Sequence, residues 1–395
     1  MRVHSLAVVG GDGIGPDVVA AALDGVRAAE RRFGFSVSTT EYELGAERYL
    51  ETGVVLDEET IARLRRHDAI LLGAVGDPRV TPGILEHGLV VALRVAFRQS
   101  VNIRPVRLYP GVQSPVTGVR PENCDIVIIR ENTEGPYTGG GTTMHAGTAE
   151  AVATQNSVTT AAATTEAAEF AFRLAAARRG RLTLCHKKNV LTHAGRLWND
   201  IVQEVGVRHP SVAHDYVHAD AMCQHLLLDP GRFDVIVTDN LFGDIISDLG
   251  AVLQGGLGVA ASANHNPSGS APSMFEPVHG SAPDIAGRGW ANPAAAVLSA
   301  AMCLSTLGES EAALALEAAV ASVLAELPTL AGPGMGVSTA EIGRRIADRV
   351  GTADVDDDGK PGASVMSALA GLSLDPGRTG RGLVGPSRPR PQVRG

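Results

Sequence analysis

"GGDGIGPDVV", residues 10–19, follows the apolar run Leu6-Ala7-Val8-Val9 and decides between two α/β architectures. A strand entering a glycine-rich turn and then a helix is the layout of a pyrophosphate-binding loop. That loop needs G-x-G-x-x-G, whose third glycine lets helix and strand pack closely. In this chain Gly11, Gly13 and Gly15 alternate, and Pro16 follows at once. Pro16 suits a first helical turn, where its missing N–H costs nothing. Glu41, in "FSVSTTEYE", is the one residue that keeps to the dinucleotide pattern. The spacing favours a tight strand-to-helix turn.

Working outward, short β-branched runs alternate with Ala-rich amphipathic stretches. "LAVVGG", "AILLGAV", "DIVIIR", "RLTLCHK" and "FDVIVTDN" read as strands, and "PDVVAAALDGVRAAERRF" and "VTTAAATTEAAEFAFRLAAARRG" as helices. This alternation predicts an α/β fold with a largely parallel sheet. The 395 residues are 44% hydrophobic and suffice for two or three domains. A formal net charge of -9 argues against a nucleic-acid or anionic-membrane surface. Cys124, Cys185, Cys223 and Cys303 lack metal or redox spacing and read as reduced thiols of a cytoplasmic protein. No signal peptide is visible. "PAAAVLSAAMCLSTL" (293–307) falls short of the ~20 residues that span a bilayer and reads as a buried helix. Residues 351–395 turn rich in Gly, Pro and Ser and end Arg-rich, which predicts a disordered tail. Asp354, Asp356, Asp358 and Gly359 imitate a calcium loop, but Val365 stands where a bidentate Glu is needed and Pro361 interrupts it.

The chemistry concentrates in "FDVIVTDNLFGDIISDLGAVLQGG", 233–256. A strand ends at Thr238, and Asp239 and Asn240 are helix-capping types. The helix carries Leu241, Ile245, Ile246, Leu249 and Leu253 on one side, with Asp244 and Asp248 together beside that stripe. Two carboxylates four apart repel, and a hard divalent cation, Mg²⁺ or Mn²⁺, relieves this. The competing reading is a solvated acidic face at a helix start. Lys187, ending the strand in "HKKNV", stands where a lysine can be desolvated, or can simply snorkel. Arg94, Arg104 and Arg130 end apolar runs; three such arginines can clamp a dicarboxylate, or form separate surface salt bridges. Asp220, in "YVHADAMCQHLL", is a weak signal alone.

Taken in order, "GDGIGPD", "NIRPVRLYPG", "RENTEGPYTG", "HKKNVL", "TDNLFGDIISD" and "FEPVHGSAPDIAGRGWANP" resemble the β-decarboxylating dehydrogenases. That family comprises isocitrate, 3-isopropylmalate, homoisocitrate and tartrate/D-malate dehydrogenases. "YELGAERY", "AILLGAVGDP" and "PSMFEPVHGSAPDIAG" are most similar to the actinobacterial type of 3-isopropylmalate dehydrogenases. The resemblance covers about residues 4–350. It implies two α/β domains sharing a large mixed sheet, not a Rossmann fold. Residues 1–105 with 257–350 would bind cofactor, and 106–256 would bind substrate and metal and dimerise. "GGDGIGPD" then becomes a turn at the cofactor cleft, with Gly10 where the family usually has Pro.

The resemblance also assigns roles. Arg94, Arg104 and Arg130 match substrate-carboxylate arginines, Tyr137 the catalytic tyrosine and Lys187 the catalytic lysine. Asp244 and Asp248 match metal ligands of one subunit and Asp220 that of its partner, which implies a homodimer with shared sites. Asn189 matches a nicotinamide contact. His279, Gly280, Ser281, Ala282, Pro283, Asp284, Ile285 and Asn292 fall in the adenosine loop, with Asp284 implying NAD. The implied reaction takes a 2-hydroxy acid to a 2-ketone: Lys187 removes the hydroxyl proton, hydride passes to NAD, the 3-carboxylate leaves as CO₂ and Tyr137 protonates carbon. Leu89, Val90 and Val91, in "ILEHGLVVALR", and Val190 form an expected apolar wall for a branched alkyl group, so 3-isopropylmalate and leucine biosynthesis are expected. Valines leave more room than the family's bulkier leucines, which keeps homoisocitrate, D-malate or tartrate, and a secondary-metabolite precursor as alternatives. An inactive regulatory subunit is the remote alternative, opposed by the filled catalytic set.

Overall fold

The computed structural model describes residues 2–353 and 364–373. Its strands are β1 (Arg2–Gly11), β2 (Phe35–Glu41), β3 (Ala69–Ala74), β4 (Val101–Arg107), β5 (Asp125–Glu131), β6 (Gly141–Met144), β7 (Val152–Gln155), β8 (Arg181–His186), β9 (Ala213–His218), β10 (Val235–Thr238), β11 (Ala261–His265) and β12 (Ser273–Pro277). Its helices are α1 (Gly15–Phe33), α2 (Ala46–Thr52), α3 (Glu58–Leu64), α4 (Ala92–Ala96), α5 (Ala161–Ala176), α6 (Thr192–Arg208), α7 (Ala219–Leu228), α8 (Asn240–Leu253), α9 (Ala294–Thr306), α10 (Ser310–Leu324), α11 (Thr339–Val350) and α12 (Val365–Ser373).

Among the described residues one ten-stranded sheet runs β2-β1-β3-β12-β11-β4-β5-β10-β8-β9, and β6 and β7 form a separate antiparallel hairpin. β2, β1, β3 and β12 are mutually parallel, as are β5, β10, β8 and β9. β11 and β4 join the two groups through antiparallel pairings. The sheet is therefore mixed, as the resemblance implies. The parallel groups read as unbroken apolar runs because helices cover both faces: Ile126–Ile129 and Val235–Val237 are at most 1% exposed. α9 is buried nearly all round. No helix among the described residues is long and apolar enough to cross a membrane.

The glycine-rich turn answers the opening question. Gly11 has φ +73, and a Cβ there would lie 1.9 Å from the Ala74 oxygen. Gly13 has φ +59, and its Cβ would lie 2.0 Å from the Ser281 oxygen. The glycines let three loops meet, those after β1, β3 and β12. Asp12 ties this turn to the segments after β2 and β3: its carboxylate accepts from the Ala46 and Gly76 amides at 2.8 and 2.9 Å.

The tail expectation needs correction. Val365–Ser373 is a helix that buries Val365, Met366, Ala368 and Leu369 in the main core, against α9 and α10 and touching α5. Ser305 Oγ donates to the Met366 carbonyl at 2.5 Å, and Arg173 Nη2 to the Leu372 carbonyl at 3.1 Å. Composition misled because the Gly/Pro-rich flanks dilute the short apolar run "VMSALAGL". The calcium-like stretch, up to residue 363, and the Arg-rich end lie outside the described residues. Leu369→Ala should cost about 2–4 kcal/mol, as for other buried leucines. Denaturant unfolding reads this, and an unchanged midpoint would mean that α12 does not dock.

Candidate active site

The second parallel group sends its carboxyl ends toward the chemistry, as open α/β sheets do. Arg130 lies near the end of β5, Asp239 follows β10, and Lys187 follows β8. Asp239 is the N-cap of α8, its carboxylate accepting from the Phe242 amide at 2.9 Å. That cap aims the first turns of α8 at Arg130. Asn240, next to the cap, accepts from Arg130 Nε at 2.8 Å and donates to the Glu134 carbonyl at 2.9 Å.

Arg130, Arg104, Tyr137, Asp244 and Asp248 come together. Arg130 Nη1 donates to Asp244 Oδ1, and Tyr137 OH donates to Asp244 Oδ2 at 2.8 Å. Arg104 Nη1 lies 3.5 Å from both Asp244 and Asp248, and donates to Ser247 Oγ at 2.6 Å. The arginines are no surface pairs: the Arg130 and Arg104 side chains are 2% and 9% exposed. Burial pushes the Arg104 guanidinium down to about 10, and neighbouring Arg130 pushes the same way. Burial likewise lowers Arg130, against the pull of Asp244. Burial would raise Asp244, but Arg130 and Arg104 outweigh it and hold the carboxyl below its ordinary value. Burial raises Asp248, Arg104 opposes this, Asp244 adds to it, and the net position is above the ordinary value. Burial, then the Asp244 charge, raises Tyr137.

Arg94 sits in α4, after a π-helical stretch over Glu86–Val91. Its Nη2 donates to Glu276 Oε1 at 3.0 Å, while its Nε is buried without a partner among the described residues. The apolar wall is rearranged. Leu89 is wholly buried in a core cluster with Leu64, Leu93 and Phe97, so it backs the wall and does not face it. Val90 and Val91 are half-buried and Val190 is exposed.

Lys187 and Asp220 pair with each other at 2.5 Å. Asn189 and Val190 beside them are exposed. No group of three metal-ligating carboxylates, imidazoles or thiols forms within the described residues, so Asp220 does not join Asp244 and Asp248 in one chain. The α8 stripe also divides: Ile246 and Leu253 turn inward and Leu249 is half-buried, whereas Leu241 and Ile245 are exposed, as is Val252 outside the stripe.

The loop after β12 packs on the glycine-rich turn, the Ile14 amide donating to the Ser281 carbonyl at 2.9 Å. Ala282 is held at φ +42. Gly280, Pro283 and Asp284 are exposed and Ile285 is half-buried. Burial lowers the His279 imidazole, whose Nε2 finds no partner among the described residues. No cation pairs with Asp284 among the described residues, and Arg288 lies over the Trp290 ring at 5.0 Å. Asn292 is buried with its amide engaged by the Leu330 carbonyl and the Ala294 amide, so it anchors the loop's exit.

Asp12, Asn240, Ser247 and Glu276 support these groups; all four lie inside the quoted motifs, but the sequence assigned none of them a place at the site. Ser247 is one helical turn from Asp244, and Glu276 lies inside "FEPVHG", spacings that place them near the site only once the sheet order is known.

The chain as a whole has solved and curated counterparts. The profile of the family "Isocitrate/isopropylmalate dehydrogenase" matches residues 5–358. The 3-isopropylmalate dehydrogenase of Thermobifida fusca is 53% identical over 350 residues, 88% of this chain and 98% of that protein. That of Mycobacterium leprae is 54% identical over 345 residues, 87% and 98%. The crystal structure of isocitrate dehydrogenase from Methylococcus capsulatus superposes with a TM-score of 0.79 at 33% identity, covering 88% of this chain and 99% of that one. The family profile and the relatives over most of the chain agree, and the chain belongs to the isocitrate/isopropylmalate dehydrogenase family.

Proposed function

We propose that the protein is an NAD- and divalent-metal-dependent dehydrogenase that converts (2R,3S)-3-isopropylmalate to 4-methyl-2-oxopentanoate and CO₂, a step of leucine biosynthesis. The observation that carries this reading is the convergence of two buried arginines, a tyrosine and two helical carboxylates, with Arg94 nearby holding an unused buried donor. Buried cationic side chains with spare donors suit a dicarboxylate.

Asp244 and Asp248 offer hard oxygen donors, partly exposed, at the spacing that suits Mg²⁺ or Mn²⁺. The third carboxylate is Asp220 of the partner subunit. The exposed stripe Leu241, Ile245 and Val252 on α8, beside Leu227 and Leu228 of α7, supports a homodimer through these helices. When bound, the cation supplies Lewis-acid polarisation of the substrate's 2-hydroxyl and its carboxylate. Arg94, Arg104 and Arg130 hold the carboxylates, which frees Asp244 from Arg130. Lys187 Nζ, from the partner, takes the hydroxyl proton as hydride leaves C2. Tyr137 OH supplies the proton that replaces CO₂ at C3. The loop 279–285 holds the adenosine, with Asp284 toward the ribose. Residues 1–105 with 257–350 against 106–256 are the proposed domains, a division supported by the two parallel strand groups. A cytoplasmic setting is supported by four free cysteines.

The alkyl group rests against Val90, Val91 and the partner's Val190. Leu89 withdraws into the core, so the pocket also favours a second reading, a malate with a larger 3-substituent. A panel of isopropylmalate, isocitrate, homoisocitrate, D-malate, tartrate and benzylmalate with NAD and Mg²⁺ decides. Alkylmalates should react within a few orders of magnitude of each other, since one methylene is worth ~1–3 kcal/mol. A higher kcat/KM for isocitrate than for every alkylmalate would overturn the reading.

A further inference from the structure

We propose that Asn264, on the antiparallel seam strand β11, is a positioning residue that sets how far Arg94 is available to substrate. The proposal rests on the reading of Arg94 and Arg104 as substrate-carboxylate arginines.

Asn264 is wholly buried and lies opposite Asn102 of β4 and Met274 of β12 in the ladder. Its Nδ2 donates to Glu276 Oε1 at 2.7 Å. The same carboxylate oxygen accepts from Arg94 Nη2 at 3.0 Å. Asn264 Oδ1 accepts from Asn102 Nδ2 at 3.1 Å and from Asn132 Nδ2 at 2.9 Å. Asn102 Oδ1 in turn accepts from Arg104 Nε at 2.7 Å. The chain has one sense throughout. Arg104 donates to Asn102, Asn102 to Asn264, and Asn264 to Glu276, which also receives Arg94. Two arginines from different elements are thereby fixed to one another through side chains alone.

The seam gives this chain its leverage. Asn264 shares Glu276 with Arg94, so part of the carboxylate's acceptor capacity is already engaged. Without that donor, the buried carboxylate is left to Arg94 and draws it in more strongly, because an unshared buried charge interacts more strongly at low dielectric. Arg94 would then reach less readily for a ligand. Asn102 keeps other acceptors, Ser262 Oγ at 2.8 Å and the Ala263 carbonyl at 3.2 Å, so the sheet itself does not depend on Asn264.

The test uses the full-length enzyme with Asn264→Leu, Glu276→Gln and the double variant. Steady-state kinetics are read with the best panel substrate and NAD, and binding of malate is read by calorimetry. Asn264→Leu should raise KM for the substrate, and Kd for malate, about tenfold, the range in which a buried coupling network acts. KM for NAD should hold within about twofold, since only groups that bind the substrate are moved. Adding Glu276→Gln should restore much of the loss, because it removes the charge that captures Arg94. Asn264→Ser, which keeps a donor, should fall between wild type and Asn264→Leu and serves if Asn264→Leu misfolds. Unchanged constants, equal losses for both KM values and kcat, or additive losses in the double variant would each overturn the proposal. A wild-type enzyme that oxidises no panel member would instead sink the functional reading, while malate binding still reads the arginine pair.

Discussion

Asp244→Asn is expected to cut kcat/KM about a thousandfold and to lower stability, whereas Asp248→Asn is expected to cut it alike and to leave metal-free stability unchanged or higher. Helical spacing alone treats the two aspartates as equals that repel. The structure separates them, because Arg130, 2% exposed, pairs directly with Asp244 and only Arg104 approaches Asp248. Loss of a metal ligand should cost several kcal/mol of transition-state stabilisation, about a thousandfold in kcat/KM. Asp244→Asn also weakens the partner of a buried guanidinium, worth about 1–2 kcal/mol. The pH signs differ. Asp244 sits below its ordinary value, so its contribution to stability is present above the unfolded value and is lost as pH falls through the folded one. Asp248 sits above, so its contribution is present at acid pH and is lost as pH rises through the folded value. Any gain from Asp248→Asn should therefore appear at neutral pH and vanish in acid. Thermal scans across pH check this, and full activity of Asp244→Asn would remove the metal assignment. Mixing Asp220→Asn with Asp244→Asn subunits should restore about a quarter of wild-type activity. Random exchange makes half the dimers hybrid, each with one intact site of two. No recovery after verified exchange would argue against sites shared between subunits.

The cofactor preference carries the second large effect. Asp284 is exposed, no cation pairs with it among the described residues, and Arg288 is occupied by Trp290. A free carboxylate can accept from both ribose hydroxyls, and it repels the 2′-phosphate of NADP. Like charges in contact cost several kcal/mol, so NAD should be preferred at least ~100-fold in kcat/KM. Asp284→Lys with Ile285→Tyr should move that ratio toward NADP. Equal use of both cofactors by the unmodified enzyme would place Asp284 away from the ribose.

The sequence made the fold legible because each parallel strand is buried on both faces, so its apolar run stands out against the amphipathic helices. It made the arginines and aspartates legible by type and spacing. What it concealed were relations across the sheet. Leu89 and Val90 are neighbours in "LVV", yet one is core and the other half-buried, because successive residues on a helix point in different directions and only one of them meets the core. The α8 stripe divides because two separate surfaces, one inside and one exposed, share a helix. Asp12 and Asn264 became visible only once their hydrogen-bonding partners, 34 and 162 residues away, were in place. Short apolar helices such as α12 vanish in a window averaged over Gly and Pro.

The unbroken sheet has a consequence for modularity. A cut between β4 and β5 would strip seven ladder partners from each strand, from Val101↔Glu131 to Arg107↔Asp125. β5 would become an edge that presents an open row of amides and carbonyls along the apolar run Ile126 to Ile129, which is all but wholly buried in the intact chain. Such an edge is a template for another copy of itself, and no proline or lysine within Asp125–Glu131 blunts it. Residues 106–256 expressed alone should thus aggregate. The two halves of this chain could therefore be exchanged for those of another protein only with the β4–β5 ladder kept complementary, residue pair by residue pair.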